Sequence, residues 1–73
     1  MKRYGNKNGN AGVVAYETGK DFIKLLFRDR AEVYTYSELS AGKSNIERMK
    51  RLAQSGEGLT TFVTRNVHDK YEK

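Results

Sequence analysis

The first half of the chain holds three short apolar-rich runs separated by polar turns, "VVAYE" (13–17), "DFIKLLF" (21–27) and "EVYTY" (32–36). Runs of this length bounded by turn signals read as strands, in which the period of two sends alternate side chains to opposite faces. In the second run it places Ile23, Leu25 and Phe27 on one side and Lys24, Leu26 and Arg28 on the other. The connections "TGKD" and "RDRA" read as turns, the first with Gly19 to supply a positive φ. Residues 12–36 are therefore predicted to form a three-stranded antiparallel meander. After Tyr36 the period lengthens. Ile46, Met49, Leu52 and Ala53 recur at helical spacing, Ser44 with Glu47 three residues later fits a capping box, and Gly56 and Gly58 fit a stop. Leu59, Phe62, Val63, Val67 and Tyr71 form a second helical stripe running almost to the end. The fold class predicted is α+β, a three-stranded antiparallel meander followed by two helices packed on one face.

The opening "MKRYGNKNGNAG" has too few apolar groups to offset its ordering entropy. Residues 1–11 thus read as a flexible basic N-terminal arm and residues 12–73 as a single domain. The first strand, "GVVAYE", has no proline or central lysine to keep another strand off its edge, so the expected state is a monomer or an edge-strand homodimer.

Composition narrows the function classes. A chain of 73 residues buries only about 60% of the surface its unfolded form exposes, which leaves no interior room for a cofactor. With no cysteine and a single histidine, zinc clusters and thiol chemistry are not expected, and no apolar run is long enough for a secretory core or a bilayer span. The expectation is a cytoplasmic protein with no metal and no cofactor. Fourteen Lys and Arg against nine Asp and Glu give a formal charge of +5, which favours an anionic partner: nucleic acid or an acidic protein surface.

Several motifs invite sharper readings. "SAGKS" (40–44) ends like a phosphate-binding loop, but Ser37 stands where that loop needs its first glycine, and a doubly wound sheet does not fit in this length. A helix start accounts for it. His68, beside Asp69 and off the apolar stripe, has no nucleophile at a suitable spacing. Glu17, Asp21, Asp29, Glu32 and Glu38 fall at turns and strand ends without forming a pair. Arg48, Lys50 and Arg51 share the polar face of the first helix, where Glu47 is spaced to pair with Lys50 and Arg51 and neutralise part of that face. Asn66 falls within the second apolar stripe, which makes it either a structural hydrogen bonder or a ligand contact.

The strongest feature is Tyr34 and Tyr36, whose spacing sends both rings to one face of a strand. Which face depends on the preceding turn. If Asp29 and Arg30 alone form the loop, Leu25 pairs with Tyr34 and Ile23 with Tyr36, and both rings join the core. If Ala31 is added, Tyr34 lies opposite Leu26 and Tyr36 opposite Lys24, and both face outward. Neither turn has its preferred residues, so the sequence leaves both registers open. Outward rings beside Lys24, Arg28 and Arg30 would make a stacking platform for unpaired bases with cations for phosphate.

The order of these features resembles the KTSC domain, a short module found at the C-terminus of some lysyl-tRNA synthetases and as a free-standing bacterial protein. The marks are the Y-x-Y of Tyr34, Thr35 and Tyr36, the preceding "FIKLLF", and Val67 four positions before Tyr71. The chain departs from that pattern in following Tyr36 with "SEL" rather than Val-Pro, and in carrying Thr64 in place of an asparagine. The resemblance implies RNA binding. The function expected is thus a small non-enzymatic nucleic-acid-binding module for RNA or single strands, with Tyr34 and Tyr36 stacking and Lys24, Arg28 and Arg30 holding phosphate. The alternative is a protein-interaction module or small regulator that binds an acidic partner surface.

Overall fold

The computed structural model describes residues 1–5 and 12–72, and shows an α+β fold: a four-stranded antiparallel sheet in the order β1-β2-β3-β4 with helices on one face. The three predicted strands are present as β2 (Val13–Thr18), β3 (Phe22–Phe27) and β4 (Val33–Ser37). The fourth comes from the segment read as an arm. Lys2–Arg3 form β1, pairing Lys2 with Tyr16 and Arg3 with Ala15, and the Tyr4 N–H extends the contact by donating to the Val14 carbonyl. Tyr4 itself is buried, and its hydroxyl accepts the Leu59 N–H at 3.2 Å. One aromatic side chain therefore anchors a stretch whose average composition reads as unstructured. The β2 edge expected to be open is paired here by the chain's own β1, while residues 6–11 of the arm lie outside the described residues.

The β2–β3 ladder has an irregularity between Val13 and Ala15, so that Val13 and Tyr16, three positions apart, both reach the core. Gly19 does not have the positive φ expected of it; a Cβ at that position would instead meet the Phe22 ring, which would have to shift. The β3–β4 ladder pairs Leu25 with Tyr34 and Ile23 with Tyr36. This is the inward register.

Beyond β4 the helical part begins earlier than the Ser44 capping box would have it. Ser37 caps a short helix α1 (Glu38–Ala41), its hydroxyl accepting the Ser40 N–H at 3.1 Å while the Ser40 hydroxyl accepts the Ser37 N–H at 3.0 Å. Gly42, at φ 93°, breaks the chain direction, and α2 (Lys43–Ser55) starts immediately after it without a side-chain cap. Ser44 is thus an exposed residue in the first turn of α2. The stop is as predicted: Gly56 at φ 81° donates its N–H to the Leu52 carbonyl.

From Leu59 the second helix runs as α3 (Leu59–Phe62) and continues as a π-helical stretch, Val63–Val67. The wider turn explains Asn66. Each residue of a π-helix advances by less than the 100° on which the stripe was drawn, so Val67 stays over the core and Asn66 swings out. Asn66 is exposed, and its amide donates to the Phe62 carbonyl at 3.1 Å. That bond lies within its own helix rather than to loop backbone.

The core lies between the inner sheet face and the helices, built from Val13, Ile23, Leu25 and Tyr36 below and Ile46, Met49, Leu59 and Val67 above. α2 packs on β3 and β4, and α3 with its π-helical continuation packs on α2. The outer sheet face, with Lys24, Leu26, Val33 and Thr35, carries no helix among the described residues.

The Tyr4–Leu59 bond ties the first strand to the last helix. Tyr4→Phe leaves the buried Leu59 N–H without its acceptor and is expected to lower unfolding free energy by about 1–3 kcal/mol. Tyr4→Ala, which also empties the ring's volume, should cost about 3–5 kcal/mol. Urea unfolding measures both, and wild-type midpoints would show that the N-terminal strand contributes nothing.

Candidate functional site

The inward register carries the two tyrosines under the C-terminal segment and splits the predicted platform. Tyr36 is 1% exposed, so no base can stack on it. Tyr34 is half-buried. Lys24 follows the pleat to the opposite face, where its ammonium sits 5.6 Å from the Phe22 ring centroid. Arg28, at the hairpin tip, borders a different depression beside Arg3 and Tyr4. Of the five residues expected to act together, only Arg30, Tyr34 and Tyr36 converge.

They converge on a cavity of about 350 Å³ between the hairpin tip and the C-terminal turn. Its wall is aromatic. The Tyr34 and Tyr71 rings meet edge to face with centroids 4.8 Å apart and an interplanar angle of 75°, and Phe27 meets Tyr34 at 5.6 Å and 90°. The buried Tyr36 and Val63 close the inner end, while the exposed Arg30, Thr64 and His68 form the rim. Arg30 is placed by Tyr34: a guanidinium nitrogen donates to the phenol oxygen at 2.8 Å, and the group lies 5.5 Å from the ring centroid.

The last residues hold the far side of the cavity. The Lys70 N–H donates to the Val67 carbonyl, turning the chain back toward the sheet, and the Glu72 N–H donates to the Thr35 carbonyl at 2.7 Å on the β4 edge. The Ser37 hydroxyl donates to the Glu72 carboxylate. Between these two attachments Tyr71 is set over both strand tyrosines, 6.1 Å from the Tyr36 ring as well as 4.8 Å from that of Tyr34. In the sequence Tyr71 stands on a helical stripe and, with Val67, marks the KTSC resemblance, but it was not among the expected site residues. The available signal was its position four residues after Val67, which would put an aromatic just past the helix end.

Burial first, then the neighbouring Tyr71 and Tyr34 hydroxyls, push the Tyr36 phenol up to about 12, with Arg30 acting in the opposite direction. His68 and Asp69 are each 71% exposed and 3.8 Å apart. Among the described residues no three His, Asp or Glu side chains gather as a metal site, and no helix is long and apolar enough to cross a membrane. The cavity thus offers what a flat ring with an adjacent negative charge needs: aromatic faces and edges, threonine hydroxyls and one guanidinium at the mouth.

No family model, curated protein or solved structure matches the chain.

Because the Tyr36 phenol is raised from 10.0 to about 12 in the fold, the folded state favours its protonated form. Its contribution to stability is complete below pH 10 and is lost as pH rises from about 10 to about 12. Phenolate absorbance in an alkaline titration should therefore show one tyrosine ionising late, and Tyr36→Phe should remove that last step. A titration in which all tyrosines ionise together in the folded protein would contradict the enclosure of Tyr36.

Proposed function

We propose that the chain is a small non-enzymatic module that binds single-stranded nucleic acid by taking one unpaired base into the cavity beside Tyr34 and Tyr71. Arg30 holds the adjoining phosphate. The observation that carries this reading is the aromatic-walled cavity with a guanidinium fixed at its mouth, in a chain of net charge +5. Every base has a π-face, so contact with Tyr34 and Tyr71 is tolerant of sequence, and the cation adds the salt-dependent attraction common to nucleic-acid binders. Duplex DNA would have to surrender a base from its stack to enter the cavity, so an RNA loop or a single strand is the preferred substrate class. Tyr36 supports the site from behind and makes no stacking contact.

The alternative is a protein partner whose acidic surface meets the same aromatic and basic surface around Tyr34 and Arg30. That reading predicts a stoichiometric protein complex and no association with oligonucleotides.

Fluorescence anisotropy with a short mixed-sequence RNA tests the two together. Tyr34→Ala, checked for retained folding by thermal unfolding, should weaken binding by about 1–3 kcal/mol, roughly 5- to 150-fold. Arg30→Gln should also weaken binding and should flatten its salt dependence. Affinity that ignores salt, or is unchanged by both substitutions, would remove the base-in-cavity mechanism.

A further inference from the structure

The cavity is on one flank of α3. On the other flank, α2 and Phe62 enclose a second, more open depression of about 620 Å³, lined by Lys43, Ser44, Glu47, Arg48 and Arg51. We propose that this face of α2 is a second phosphate-binding track, over which a single strand continues after placing one base in the Tyr34–Tyr71 cavity. The proposal rests on the nucleic-acid reading above and extends it to a second site.

Charge complementarity commits the track to a polyanion. Lys43, Arg48 and Arg51 are exposed along it, with Glu47 as the single carboxylate in the lining. The spacing of Glu47 suggested that it would neutralise this face by pairing with Lys50 and Arg51. Among the described residues it forms neither pair, and the Lys50 ammonium instead donates to the Lys20 carbonyl at 3.0 Å, over the turn between β2 and β3. Arg48 and Arg51 are three residues apart and so neighbour each other on the helix. The half-buried Phe62 gives the same depression an aromatic surface, so that cations for phosphate and a ring for a base occur side by side as they do in the first cavity.

α3 and its π-helical continuation connect the two. Thr60, Val63 and Thr64 border the first cavity and Phe62 the second, so the sites are separated by the width of one helix, about 10 Å with its side chains. The exposed Thr61 and Arg65 stand on this helix. At about 3.4 Å per stacked nucleotide, a strand needs roughly three or four nucleotides to cross that ridge. A mononucleotide therefore reaches one site only, and a strand of about six nucleotides reaches both.

The test compares a mononucleotide with a hexameric RNA over a range of salt concentrations, using the whole chain and the double variant R48Q/R51Q. Both arginines are exposed, and thermal unfolding confirms that the variant keeps the fold. The expected result is unchanged mononucleotide binding and about tenfold weaker hexamer binding at low salt, with the logarithmic salt slope reduced by about 1.4, near 0.7 for each lost phosphate contact on a single strand. If the hexamer's affinity and slope match wild type while Tyr34→Ala still weakens it, the α2 track is wrong and the cavity reading survives. If Tyr34→Ala has no effect while R48Q/R51Q lowers the slope, the track survives and the cavity reading falls. Absence of hexamer binding by the wild-type chain overturns both.

Discussion

One register decides what the molecule presents. Pairing Leu25 with Tyr34 and Ile23 with Tyr36 sends the odd-numbered side chains of β3 and the even-numbered side chains of β4 to the same, helix-covered face. A slip of one residue would exchange every one of these positions and put Val33, Thr35 and Ser37 over the core in place of two aromatic rings. Burying large apolar side chains contributes about 1.5–3 kcal/mol each, a difference that no turn preference at Asp29–Arg30 can offset. Core volume therefore overrides the ambiguous turn. The site inherits the result: Tyr36 becomes packing, Tyr34 becomes a wall, and Lys24 is carried to the far side of the sheet.

What was legible in the chain follows the range of the interactions that set it. The strands β3 and β4 and the buried positions Ile46, Met49, Ala53, Leu59, Val63 and Val67 follow simple periods, while β2 was legible as a strand but not in which side chains it buries, because its ladder is irregular between Val13 and Ala15. β1 was not legible because two residues have no period; it exists through a distant ring, that of Tyr4, docking under Leu59. The start of α2 fell close to the expected position, but Ser44 is not its cap, and the preceding α1 was not foreseen: the capping box forms there, with Ser37 and Ser40. Gly19 was expected to supply a positive φ and does not; the feature that distinguishes it is the Phe22 ring lying where a Cβ would go. Asn66 was placed on the wrong side by assuming α geometry through a π-helical stretch. Tyr71 was placed on the stripe and not in the site, because its role depends on where the chain turns after the helix, and that turn is held by contacts to Thr35 and Ser37 that no local pattern encodes.

The helical layer gives the molecule two recesses of different character. The first is narrow and walled by rings; the second is broad and lined by cations, and the π-helical continuation of α3 exposes Arg65. The α3 residues serve both sides at once, with Thr60 also accepting the Val13 N–H at 3.3 Å and so fixing the helix to the sheet that carries the tyrosines. A ligand that spans the helix would read a shape set by the core itself, which joins binding to the packing of Val63 and Val67.

The central claim is that a base occupies the space between the sheet and the C-terminal turn. Intermolecular NOEs between the protons of a short RNA and the aromatic protons of the protein test it most directly. The account predicts cross-peaks from base protons to the Tyr34 and Tyr71 rings. Base cross-peaks confined to the outer sheet face, at Phe22, Lys24 and Leu26, would contradict it.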